Sequence, residues 1–121
     1  MITHETPVLF SVDLDGCEAL ATREPDEVIA IFANALERAG ATVVQALSHA
    51  FPGAGLTSVL ILRESHAVLH TWPETGTVNI DIFSCSTRLK SLEAVNELRV
   101  AFGARREIGR ASCRERVCYP V

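Results

Sequence analysis

From Thr77 to Cys85 the chain alternates, with Val78, Ile80 and Ile82 on one side and Asn79, Asp81, Phe83 and Cys85 on the other. A period of two is the pattern of an extended strand, whose successive side chains point to opposite faces. The fold must therefore contain a sheet with one apolar face, and that face needs a cover. Other segments read as further strands. Pro7–Leu14 alternates through Val8, Phe10 and Val12 and ends at the Asp15-Gly16 turn. Thr42–Phe51 runs into Pro52-Gly53-Ala54-Gly55, a turn. Leu56–Leu62 is a continuous apolar run of the kind buried in a sheet centre, and Ala67–Trp72 is stopped by Pro73.

Two helices supply the cover. Thr22–Asp26 has the acids and the first-turn proline of a helix start. Val28, Ile31, Phe32, Ala35, Leu36 and Ala39 follow helical spacing, and Gly40 ends it. A second helix spans Leu89–Phe102 and stops at Gly103; a last strand follows at Arg105–Ile108. The order β-α-β-β-β-β-α predicts an α+β two-layer sandwich, a mostly antiparallel sheet with two helices on one face. The domain is expected over residues 1–108. Residues 109–121 have no periodicity and read as an irregular tail, disordered or foreign to the domain.

Composition narrows the classes. The 121 residues fit one domain, and 48% hydrophobic with 21% charged residues is a globular balance. A net charge of −4 and a pI near 5.5 argue against nucleic acid. The basic stretch Arg99–Arg116 is interrupted by Glu107 and Glu115 and reads as a solvated helix end and tail. No apolar run approaches the roughly 20 residues that span a bilayer, and Met1–Glu5 lacks a basic leader. These features predict a cytoplasmic protein without a membrane partner. Cys17, Cys85, Cys113 and Cys118 form no C-x-x-C pair; neither disulfides nor a metal site is expected from them.

The chemistry is concentrated in Glu64-Ser65-His66-Ala67-Val68-Leu69-His70-Thr71-Trp72-Pro73-Glu74, followed by Asp81-Ile82-Phe83-Ser84-Cys85. It holds a hydroxyl, imidazoles, carboxylates and a thiol, the groups of nucleophilic and acid–base catalysis. On residues alone three readings stand. His66 and His70 share a strand face and could hold a metal, though a third ligand is missing. Ser65 with a histidine could be a hydrolase pair, though no G-x-S-x-G elbow surrounds it. Or both histidines are structural.

The block Glu-Ser-His-x-x-x-His-Thr-Trp-Pro-Glu with Asp-x-Phe-x-Cys resembles the signature of the prokaryotic S-adenosylmethionine decarboxylases, which are pyruvoyl-dependent proenzymes. Weaker similarity runs from Val8 to Phe102. The resemblance implies self-cleavage between Glu64 and Ser65, leaving a β chain 1–64 and an α chain whose residue 65 becomes a pyruvoyl group. That group takes the substrate amine as a Schiff base and acts as electron sink for decarboxylation. By the same resemblance His70 moves the proton in processing, Thr57 stands where the family usually has a serine that assists it, and Cys85 is the proton donor. Glu74 would contact ribose hydroxyls and Phe51 stack on adenine. A homodimer in polyamine (spermidine) biosynthesis is expected, with no metal. Three departures are visible: Pro7-Val8-Leu9 where members have Gly-x-His-Leu, Cys85-Ser86 for Cys-Gly, and an unfamiliar C-terminus. A related decarboxylase of ornithine or arginine, or a non-catalytic dimeric remnant, are the alternatives.

Overall fold

A computed structural model describes residues 7–53, 55–85, 89–113 and 119–120, with backbone only from 111 onward. The elements are β1 (Val8–Asp15), one 3-10 turn at Leu20–Thr22, α1 (Pro25–Arg38), β2 (Val43–Ala50), β3 (Leu56–Leu62), β4 (Ser65–Trp72), β5 (Thr77–Ser84), α2 (Ser91–Phe102), β6 (Arg106–Cys113) and β7 (Tyr119–Pro120). All strand pairs are antiparallel, in one sheet ordered β2-β3-β4-β5-β1-β6-β7. This is the α+β arrangement expected from the alternation and the two amphipathic helices.

The helices start and stop where local chemistry dictates. At the start of α1, Glu24 and Glu27 cap each other reciprocally and Pro25 occupies the first turn. The apolar stripe Val28, Phe32, Ala35 and Leu36 faces the sheet. In α2 the stripe is Ala94, Val95, Leu98 and Phe102, and Gly103 closes it at φ 64°. Against these pack Val12, Leu14, Leu60, Leu62, Ala67, Leu69, Val78, Ile80 and Ile82, all buried. Each large side chain hidden there contributes about 1.5–3 kcal/mol.

One correction concerns the C-terminal stretch. The expected irregular tail from Gly109 is strand through Cys113: β6 pairs with β1 from Arg106↔Asp15 to Cys113↔Val8. Gly109 and Arg110 interrupt the hydrophobic alternation, so the strand is specified by its ladder with β1 rather than by its own pattern. Residues 114–118 and 121 lie outside the described residues. Three arginines of the basic stretch are matched by the chain's own acids: Arg99 with Glu107 at 3.8 Å, Arg106 with Asp15 at 3.1 Å, and Arg105 with Glu18.

Gly55 is fixed by contact. A Cβ there would sit 1.7 Å from the Thr71 carbonyl oxygen, so only glycine lets the start of β3 approach the end of β4. The Leu56 N–H then donates to Thr71 Oγ1 at 3.0 Å.

Both helices lie on one face of the sheet. On the other, the register builds rows across the strands. One row is His49, Thr57, His70, Asn79 and Asp13; another is Gln45, Ile61, His66, Phe83 and Leu9. Between them run Leu47, Val59, Val68, Asp81 and Ser11. Leu47 is 71% exposed and Ile61 46%, an apolar patch that nothing in the described chain covers.

Candidate active site

The expected functional residues fall into two groups. The first lies at the β3–β4 turn. Leu62 pairs with Ser65, leaving Arg63 and Glu64 as the connection. The Arg63 N–H donates to the Thr42 carbonyl at 3.0 Å. Glu64 has φ 62°, the left-handed region that side-chain-bearing residues avoid. Ser65 opens β4, and its Oγ accepts the backbone N–H of Cys85 at 3.2 Å. That contact exists because β4 and β5 pair with Ser65 opposite Ser84, which puts the residue after β5 beside the first residue of β4. His66 and Phe83, one step further in the same ladder, stack with centroids 5.1 Å apart and planes at 15°. The turn, the hydroxyl and the cysteine thus form one cluster.

The second group lies toward the opposite end of the sheet, with Thr57 and His70 on the open face, whereas Ser65, paired with the buried Leu62 and Ser84, belongs by register to the helix-covered side of β4. Thr57 Oγ1 and His70 Nδ1 are 2.9 Å apart, joined across β3 and β4. Phe51 follows β2, 49% exposed, and meets His49 edge-on at 4.6 Å. Glu74 is exposed in the β4–β5 turn. The β2–β3 and β4–β5 turns share one end of the sheet; the β3–β4 turn and Cys85 share the opposite end. Ser65 and His70 are five residues apart along β4, about 16 Å at ~3.3 Å per residue. Within one chain, therefore, the structure joins Ser65 to Cys85 and Thr57 to His70 but does not join the two pairs.

A polar chain beside His70 was not singled out from the sequence. Trp72 Nε1–H donates to Asn79 Oδ1 at 2.5 Å, and Asn79 Nδ2 donates to Asp13 Oδ1 at 2.6 Å. Period-two alternation in β1 and β5 places Asp13 and Asn79 on the open face, which was the available signal. Cys17, by contrast, takes no part in the site. Burial, with a smaller push from the Asp15 carboxylate, raises its thiol to about 11, and its Sγ–H donates to the Leu14 carbonyl at 3.5 Å.

The sequence model of one family, S-adenosylmethionine decarboxylase, matches residues 9–115. The chain belongs to that family. Among its relatives are proteins named S-adenosylmethionine decarboxylase proenzyme. That of Methanococcus maripaludis is 34% identical over 87 residues, 72% of this chain and 71% of the relative. That of Pelotomaculum thermopropionicum is 33% identical over 93 residues, 77% and 74% of the two chains. That of Acidithiobacillus ferrooxidans is 35% identical over 92 residues, 76% and 69%. The crystal structure of the adenosylmethionine decarboxylase from Aquifex aeolicus superposes with a TM-score of 0.81 and covers 95% of both chains. At 22% identity that likeness establishes the fold.

Proposed function

We propose that this chain is a self-processing decarboxylase of S-adenosylmethionine, supplying the decarboxylated product for polyamine biosynthesis. The observation that carries the reading is the cluster at residues 64, 65 and 85. A hydroxyl follows a left-handed residue, and a backbone N–H donates to its oxygen. The donated hydrogen bond makes the hydroxyl easier to deprotonate and fixes its position.

Cleavage uses the chain's own groups. Ser65 Oγ attacks the Glu64 carbonyl carbon; the C–O bond forms, the C–N bond breaks, and the hydroxyl proton passes to the nitrogen of residue 65. A base then removes the Cα proton of residue 65, the Cβ–Oγ bond breaks, and Glu64 leaves as a carboxylate. Water replaces the nitrogen, which departs as ammonia. Residue 65, now chain-terminal and beside Cys85, fits a pyruvoyl group in position and precursor chemistry. When formed, that group supplies an electron sink for the pair left as CO₂ departs.

Two residues manage protons. His70 takes the Cα proton through Nε2. In the tautomer where Nδ1–H donates to Thr57 Oγ1, Nε2 carries the free lone pair a base needs. Thr57 then acts by fixing the ring and its tautomer. Cys85 holds the thiol proton that returns to the substrate α-carbon.

The same geometry supports a homodimer. The two groups of site residues lie at opposite ends of the sheet, and the face that carries Thr57 and His70 is uncovered. A second copy laid antiparallel on that face would bring its Thr57–His70 pair, Phe51 and Glu74 to the Ser65–Cys85 end of the first, and would cover Leu47 and Ile61. Adenine on Phe51 and ribose on Glu74 would then lie beside residue 65.

The test is CO₂ release from carboxyl-labelled substrates by the purified protein. Turnover of S-adenosylmethionine with little from ornithine or arginine is expected. The reverse preference would replace the substrate, and none with any of the three would favour a binding protein.

A further inference from the structure

We propose that the left-handed backbone of Glu64 is a positioning device for chain cleavage, holding the scissile carbonyl in a turn that acyl transfer relaxes. The inference rests on the self-cleavage reading above. Among the described residues Glu64 is the only non-glycine with positive φ; the other positions, 16, 40, 53, 76 and 103, are glycines. A left-handed conformation carries little penalty for glycine but a real one for any residue with a Cβ. Here the penalty sits on the residue whose carbonyl is attacked.

The turn cannot shed it while the chain is intact. Leu62 and Ser65 are paired, so only Arg63 and Glu64 span the strands. One side is pinned by the Arg63 N–H on the Thr42 carbonyl, the other by the Cys85 N–H on Ser65 Oγ. Attack by Oγ changes the connection. The Glu64 carbonyl carbon was joined to Cα of residue 65 through one atom, N; after transfer it is joined through two, Oγ and Cβ. The C–O bond forms, the C–N bond breaks and the proton ends on nitrogen. The turn gains an atom, and φ at residue 64 is free to relax. Strain present in the amide and falling toward the ester favours the forward step.

The experiment follows chain cleavage by denaturing mass spectrometry after cell-free synthesis, for wild type, Glu64→Gly and Glu64→Gln. Glu64→Gly removes the penalty and is expected to slow cleavage roughly five- to thirtyfold. Glu64→Gln keeps the backbone demand without the charge and should stay within about twofold of wild type. In the uncleavable Ser65→Ala background, Glu64→Gly should melt at or above its parent. Glu64→Gly cleaving at the wild-type rate or faster overturns the proposal. So does Glu64→Gln slowing as much as Glu64→Gly, which would assign the effect to the side chain. Slow cleavage with a lower melting temperature would mean a damaged turn and also overturns it. Wild type that never cuts instead removes the self-cleavage reading itself.

Discussion

Thr57 and His70 give the most local test of the proton path. Their 2.9 Å hydrogen bond is proposed to fix the tautomer that leaves Nε2 basic. Thr57→Val removes it and should slow cleavage on the order of tenfold, the worth of one hydrogen bond of about 1.4 kcal/mol. Thr57→Ser should keep the wild-type rate, and gel densitometry of cut and uncut chains separates the two. Cys85→Ala should still cut, because the Ser65 contact uses the backbone N–H of residue 85. Its CO₂ release should fall by about 10²–10⁴, the range for losing a positioned proton donor. Cys17 answers a different question. Its folded pKa of about 11 lies above the ordinary value of 9.0. The unfolded chain therefore loses this proton first as pH rises, and the buried thiol's contribution is intact below pH 9 and lost toward 11. Melting temperature should fall across that window more steeply in wild type than in Cys17→Ala.

Among the elements, β3 and β4 are held by a contact that no side chain reports. Gly55→Ala would drive a methyl group into the Thr71 carbonyl. The strands must part to admit it, for an expected loss of about 2–4 kcal/mol, read by urea titration. Ending the chain after Ile108 should also destabilise it, since Gly109–Cys113 supplies the partners of Val8–Val12 and its removal bares an edge of β1. That strand shows where sequence reading stops. Val78, Ile80 and Ile82 announce β5 by themselves because their face is buried and their neighbours are polar. Residues 109–113 include glycine, arginine and serine, and only pairing with β1 makes them a strand. Strand β4 begins at Ser65 rather than Ala67 for the same reason, since Ser65 and His66 are ordered by Leu62, Ile61 and β5. The site divides likewise. The types and spacing of Ser65, His70 and Cys85 were legible as a motif. The bond from Cys85 to Ser65 depends on strand register, and the left-handed Glu64 depends on a two-residue connection.

At the scale of the whole molecule, one chain holds the two halves of a site at opposite ends of one sheet. If two copies complete each other, Leu47→Glu with Ile61→Glu should give a monomer by light scattering and slow cleavage severely. Their present exposures of 71% and 46% leave room for the charges in the isolated chain, so its melting temperature should change little. Co-folding a Ser65→Ala chain with a His70→Ala chain sharpens the point. Neither cuts alone, but in the mixed dimer the His70→Ala chain keeps Ser65 and faces an intact His70, so it alone should be cut. No cutting in the mixture would place His70 and Ser65 in the same chain's reaction and remove the shared site.

The central claim is that this chain cuts itself between Glu64 and Ser65, and intact mass under denaturing conditions tests it most directly. Wild type should give two chains divided at that bond, the second lacking a free amino terminus, while Ser65→Ala stays whole. A single uncut wild-type chain after long incubation would contradict the account.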